Sequence, residues 1–333
     1  MIDHLNRRQF LKSAAIAAAA APALLQAAQT PAAIAPAAQT PAARLPRRPY
    51  KPGVEISVIG FASIMLRSPL MDQNQANRAV ASAYEQGCNY FDVAPAYGDA
   101  QQKLGPALEP YRKNVFLSCK TKMRDAAGAK AELKRSLELL KTDHFDLYQL
   151  HATKDPQKDI DAAFMKGGAM ETLLEAQKAG VIRYIGFTTH TTESAVPAMN
   201  RFDFDSMMFP FNFASIYKGD YGQEMYELAK KKNVTRIAIK SFCRQEWPQG
   251  ANRGQFRQLW YQPVFDRHEA EMALRWTMSH EITTTLPPGD QAVSNLAMEL
   301  ALQLKPITPE ETKELQGLAA SLSPLFRAGR VTG

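Results

Sequence analysis

The 333 residues contain three cysteines, Cys88, Cys119 and Cys243. An odd number with no Cys-x-x-Cys pair is no disulfide framework. It also lacks the ligands of a cysteine-based zinc or cluster site, and no metal is expected. Cys119 lies inside an apolar run and reads as a small buried residue. Long hydrophobic runs are missing too. The stretch from Ala14 to Ala28 is alanine-rich and weakly apolar. It falls short of the roughly 20 strongly apolar residues of a spanning helix, so no stable membrane anchor is expected. No Gly-x-Gly-x-x-Gly follows the first predicted strand, which counts against a dinucleotide-binding doubly wound sheet. The formal charge of +7 is not spread along the chain: Arg7, Arg8, Lys12, Arg44, Arg47, Arg48 and Lys51 against Asp3 place +6 of it in residues 1–51. The near-neutral remainder gives no footprint for nucleic acid.

What is present at the start is a leader. Asn6-Arg7-Arg8-Gln9-Phe10-Leu11-Lys12, followed by the alanine-rich run, resembles a twin-arginine export signal. A basic start, an apolar centre and small residues fit a cleaved segment over 1–28, with Ala21-Pro22-Ala23 or Ala27-Ala28 as the cleavage region. The expected partner there is the twin-arginine export machinery, and the expected destination is the periplasm. From Gln29 to Pro52 the composition shifts to Ala, Pro, Gln and Thr, and AAQTPAA occurs twice. So little bulky apolar surface predicts an extended tether over 29–52.

The remainder, 53–325, has the length of a single-domain α/β protein of the (β/α)8 barrel class. Strands are predicted at 56–66, 90–93, 115–120, 145–150, 184–188, 206–211, 236–241 and 282–286, with amphipathic helices between them. Runs such as IAI and DLYQL suit strands buried on both faces, as in parallel sheets. In such barrels chemistry sits at the C-terminal strand ends. Asp92, Lys120 and His151 occupy three successive strand ends, and Tyr97 lies on the loop just past the first.

These segments, GCNYFDVAPAYG, VFLSCKTK and SLELLKTDHFDLYQLH, resemble the aldo-keto reductases over roughly Val54 to Leu304. The resemblance implies a tetrad of Asp92, Tyr97, Lys120 and His151, a nicotinamide cofactor (NADP, with NAD as the alternative) and a small-molecule carbonyl substrate. Each group has a separate physical task. A phenol with a pKa of about 10 is a poor acid at neutral pH. A neighbouring ammonium, Lys120, makes Tyr97 a better one. Asp92 holds Lys120, and His151 orients the carbonyl.

The cofactor half of the resemblance is weaker. Thr188 and Thr189 stand where the family has Ser-Asn, Met208 where it has Gln, and Gln101 where it has Glu. The segment PPGDQAVSN keeps Pro288, Gly289 and Asn295 but brings Asp290, with no adjacent Arg or Lys. Lys240 is the alternative cation for an anion. The loop 242–264, with Arg244, Trp247, Arg253, Arg257, Trp260 and Tyr261, is long enough to suggest a lid or a substrate wall. Met65, Trp247 and Trp260 are candidates for an apolar pocket. Two other functions stay open: a lyase or aldolase using Lys120 or Lys240 as a Schiff base, and a binding protein without turnover.

Overall fold

The computed structural model describes residues 44–329. The leader 1–28 and the first part of the expected tether lie outside the described residues. The last part of that tether does not behave as one. Arg47–Lys51 (β1) and Val54–Ser57 (β2) form an antiparallel hairpin. Tyr50 and Ile56 point inward and are buried. The Tyr50 ring packs 4.8 Å from Phe116 and 5.1 Å from Tyr184, and its carbonyl accepts from Thr235 Oγ1 at 2.7 Å. Arg48 donates to the carbonyls of Met278 and Ile282, both at 2.7 Å. The hairpin therefore closes the N-terminal mouth of the barrel. Its alternation is too short to stand out beside the Ala/Pro tract before it.

Eight parallel strands follow: Phe61–Ala62 (β3), Tyr90–Asp92 (β4), Phe116–Thr121 (β5), Phe145–Thr153 (β6), Ile182–Thr189 (β7), Ser206–Pro210 (β8), Thr235–Ile239 (β9) and, after a hairpin described below, Thr284–Leu286. They form one sheet in chain order. Gly60 N donates to Thr285 O, and Thr285 N to Val58 O, each at 3.0 Å, so the first strand meets the last and the sheet is a closed (β/α)8 barrel. The predicted first strand, 56–66, is in fact divided: the chain bends at Val58 between the hairpin and β3, and Ser63–Leu66 is a 3-10 turn. A Cβ on Gly60 would lie 2.4 Å from Tyr90 Cδ1 and 2.7 Å from Leu286 Cδ2. Gly60→Ala should therefore cost about 1–3 kcal/mol of stability, read from the denaturant midpoint, because the fully buried Tyr90 ring cannot retreat.

Helices between the strands start on side-chain caps. Asp72 caps Gln73–Glu85 with a capping box, and Asp125, Thr191, Asp266 and Asp290 cap later ones. A further helix, Pro309–Ser321, opens on a second capping box, Thr308 with Glu311. The barrel interior holds Tyr50, Ile56, Tyr90, Phe116, Leu147 and Met208, among others. The larger apolar layer lies between strands and helices. Below Met208, which reaches the C-terminal mouth, the interior plug fills the N-terminal half and leaves that mouth free for polar side chains.

Candidate active site

Side chains alternate along a strand, so in a parallel barrel the register decides which residues share a layer. Here Asp92 pairs with Ser118, Lys120 with Gln149, Gln149 with Gly186, and Thr188 with Met208. Steps of two along these strands bring Asp92, Lys120, His151, Thr188 and Met208 to the C-terminal mouth.

Lys120 Nζ forms a short ion pair with Asp92 Oδ1, both side chains almost fully buried, and also donates to Val93 O at 3.2 Å. Asp92 Oδ2 accepts from Ser118 Oγ at 3.0 Å, and Ser118 Oγ accepts from Gln149 Nε2 at 2.8 Å. This chain fixes the carboxylate that fixes the lysine. The sequence reading missed Ser118 and Gln149; the signal was their place on the same strands, two residues before Lys120 and His151. Lys120 sits 5.2 Å from the centre of the Tyr97 ring. Its pKa is raised: burial favours the neutral amine, but Asp92 and other neighbours together outweigh it. Burial pushes the Tyr97 phenol up, and the Lys120 charge opposes that rise. Tyr97 is thus a protonated donor beside a permanent cation.

Tyr97 rides on a turn, its N–H donating to Ala94 O at 3.0 Å. Asp99 ties that turn to the preceding loop, accepting from Ser68 N at 2.7 Å and Ser68 Oγ at 2.6 Å, and these bonds hold its carboxyl at about 2. The ring is half-buried and packs against the core. His151 meets it edge-on at 5.8 Å between centroids. Burial first, then the Lys120 charge, lowers the His151 pKa well below the usual imidazole range, so the ring is neutral. The following residue, Ala152, has φ 54°, a left-handed conformation in which a side chain is strained, and the β6–β7 register slips there. Two contacts hold the bulge. Ala152 N donates to Thr188 Oγ1 at 2.7 Å, and Arg124 Nη2 donates to His151 O at 2.8 Å while pairing with Asp159.

The four residues line one cavity of about 290 Å³ with Thr188, Met208, Lys240, Trp260, Pro288 and Gly289. Of the expected cofactor residues, Asn295 is elsewhere. With Gln258, Gly289 and Asp290 it lines a contiguous outer groove of about 500 Å³. Thr189 is at neither place. It is fully buried, its hydroxyl 2.8 Å from Thr153 O and 3.0 Å from Thr191 O, so its role is to brace the strand end. Gly289 has a packing reason of its own, since a Cβ would meet Ile64 Cγ2 at 2.5 Å. Gln101, at the family's Glu position, is buried and donates to Ser136 Oγ at 2.8 Å.

The loop 242–264 is less of an open lid than its length suggests. Cys243–Gln245 (β10) and Gln262–Pro263 (β11) pair as a hairpin, and the last barrel strand, Thr284–Leu286, is thus β12. Arg244 forks onto Glu269 at 3.0 and 3.1 Å, and Trp247 Nε1 donates to Leu259 O at 2.9 Å. Gln258 forms a short hydrogen bond to Asp290, which joins the loop to the start of the helix after β12. Of the three apolar candidates only Trp260 reaches the cavity; Met65 faces the outer groove. No group of three or more His, Cys, Asp or Glu side chains among the described residues could hold a metal, and no described helix is long and apolar enough to cross a membrane.

Asp92, Lys120 and His151 on adjoining strand ends, with Tyr97 on the turn after the first, line one cavity of a closed barrel, and the aldo/keto reductase family model matches residues 58–245, more than half the chain. The chain belongs to the aldo/keto reductase family. Aldo-keto reductase YhdN of Bacillus subtilis is 28% identical over 209 residues, covering 58% of this chain and 60% of its own length. The uncharacterized oxidoreductase YqkF of the same organism is 31% identical over 150 residues, 41% of this chain and 46% of its own. The matched region thus spans about half the length of these relatives. Aldo-keto reductase AKR11C1 of Bacillus halodurans, in its holo form, shares the fold with a TM-score of 0.63 at 23% identity, over 81% of this chain and 94% of its own. Outside the described residues, this aldo/keto reductase also matches the twin-arginine translocation signal over residues 4–24.

Proposed function

We propose that this protein is an exported oxidoreductase, resident in the periplasm, that reduces a small aldehyde or ketone with Tyr97 as the proton donor. The observation that carries the reading is the buried Asp92–Lys120 pair against the ring of Tyr97, with neutral His151 in the same cavity. A nicotinamide dinucleotide, when bound, supplies the hydride. As negative charge builds on the substrate oxygen, the Tyr97 hydroxyl gives its proton, and the fixed Lys120 charge stabilises the phenolate left behind. Neutral His151 has a ring N–H to donate to the same oxygen, which orients the carbonyl without competing as a second acid. Asp92, held by Ser118, keeps Lys120 charged throughout.

The residues fit such a cofactor in part. The cavity continues into the outer groove through Gln258 and Gly289, which suits a long, bent molecule. Thr188 Oγ1 accepts from Ala152 N, so its own proton stays free for a carboxamide oxygen. Met208 offers only a weak acceptor at the neighbouring position. No Lys or Arg lines the outer groove, and Asp290 does. A 2′-phosphate has no cation there, so NAD is proposed in place of the NADP that the resemblance implies. Reduced nicotinamide is made in the cytoplasm, and the twin-arginine route carries folded proteins, so the cofactor is proposed to be bound before export. Denaturing protein purified from the periplasm should release about one nicotinamide nucleotide per chain, identified by chromatography as NAD(H). A cofactor-free protein that also fails to oxidise added NADH or NADPH with any carbonyl would overturn the reductase reading.

One observation keeps the imine reading alive. Lys120 is held charged by Asp92 and is a poor nucleophile, but burial lowers Lys240 to about 8, where a free amine is accessible. Borohydride trapping of a carbonyl compound on Lys240 would decide for it.

A further inference from the structure

The cavity wall carries charge that the proton-transfer chemistry does not use. Asp92 is its one carboxylate, and Lys120 neutralises it. Two further cations, Arg67 and Lys240, face the same cavity. Among the described residues neither has a carboxylate within ion-pair distance; Arg67 reaches only the Ile64 carbonyl, at 3.4 Å. Lys240 is half-buried at the end of β9, its ammonium 5.2 Å from the centre of a Trp260 ring and 5.0 Å from that of Tyr261. Its backbone is left-handed, with φ 66°, a conformation that costs energy in any residue with a Cβ. Two aromatic faces attract this ammonium but supply no counter-charge, and a cation without a carboxylate, held on a strained backbone inside a reaction cavity, is a poor packing solution. It is a good receptor for an anion.

We infer that Lys240, with Arg67, forms an anion subsite beside the tetrad, and that the substrate is a carbonyl compound bearing a carboxylate. This deepens the reductase reading and rests on it for the carbonyl end. The carboxylate is assigned to the substrate and not to a cofactor phosphate, because the two cations share the cavity in which Tyr97 and His151 engage the carbonyl. The phosphates belong one nucleoside away, toward the outer groove. A cation–carboxylate contact at a half-desolvated site should favour the acid over its ester about 10- to 100-fold.

The test uses the mature exported protein with its bound nucleotide. Binding of 4-oxobutanoate and of its methyl ester is followed by tryptophan fluorescence, since Trp260 lies against the proposed subsite. Turnover of both is measured alongside. Wild type should prefer the acid by the factor above in Kd and in KM. Lys240→Met keeps the stem against the rings and removes the charge, and Arg67→Met does so at the second cation; each should shrink the preference toward unity, with nucleotide content as in wild type. The acid's Kd should also rise about tenfold per pH unit above the Lys240 pKa of about 8, and this rise should vanish in Lys240→Met, which assigns it to Lys240 and not to His190, another titratable group on the same wall. Around it, burial raises Tyr97, Tyr261 and Cys243, Lys120 is raised and His151 is lowered, so none of these titrates in that range. Equal affinity for acid and ester overturns the inference. So does a Lys240→Met variant that loses nucleotide while keeping the preference, because the cation then serves a cofactor phosphate. Acid preference in Kd without turnover of either compound keeps the subsite and removes the reductase reading.

Discussion

Tyr97→Phe is expected to lower turnover of the carbonyl substrate by about 10²- to 10⁴-fold, the range of general acid catalysis. The substitution deletes one oxygen from a half-buried ring. The ring keeps its packing on the core and its edge-on contact with His151. Nucleotide content and melting temperature should therefore stay close to wild type. Lys120→Met should suppress turnover comparably, but for a different reason and with a different side effect. It leaves Asp92 as a fully buried carboxylate with Ser118 Oγ as its strongest remaining donor. Breaking a buried ion pair from one side typically costs about 3–5 kcal/mol, so this variant should melt early as well as turn over slowly. The double variant should be barely slower than the worse single, since the phenol and the ammonium act as one unit. Rates normalised to folded protein separate the two effects. If Tyr97→Phe instead melts early and keeps its rate per folded molecule, the hydroxyl is a structural hydrogen bond and the proton-donor assignment fails.

The part of this site that was legible in the sequence is the part set by period and topology. Asp92, Lys120 and His151 each close an apolar run, and parallel strands in chain order must bring such ends together. What escaped is what depends on register and on three-dimensional closure. Nothing local announces that Gly60 is where the first barrel strand meets the last, so 56–66 read as one strand. Tyr50 looks like the tail of an Ala/Pro tether until Phe116 and Tyr184 are seen beneath it. Thr188 and Thr189 are neighbours with the same chemistry, but one faces the cavity and the other is spent on Thr153 and Thr191. A strand's period of two guarantees that such a pair divides, though not which member goes in. The left-handed residues Ala152 and Lys240 carry no glycine or asparagine signal, so the bulge behind His151 and the strained seat of Lys240 could not be read at all. The helix Pro309–Ser321 is a different case: Thr308, Pro309 and Glu311 spell a capping box that was there to be found.

The second large effect concerns where the protein works. Replacing Arg7 and Arg8 together by Lys keeps both positive charges and the length of the leader. It removes the planar five-donor guanidinium forks that a receptor reads differently from a compact ammonium. The twin-arginine signal spans residues 4–24, ahead of the first barrel strand in the chain. The variant should therefore fold and take up its nucleotide as wild type does while losing nearly all appearance in the periplasm. Fractionation with an antibody to the barrel measures this, and nucleotide released from the retained cytoplasmic pool shows whether loading precedes export. Retained protein that holds nucleotide supports a cofactor acquired at the site of synthesis and carried out in the folded chain. Retained protein that is empty would place loading after translocation, where reduced nicotinamide is scarce, and would point to another electron source. Undiminished export of the Lys-Lys variant would show that the leader is recognised through charge and apolar length alone, and the twin-arginine route would be withdrawn together with the argument for loading before export.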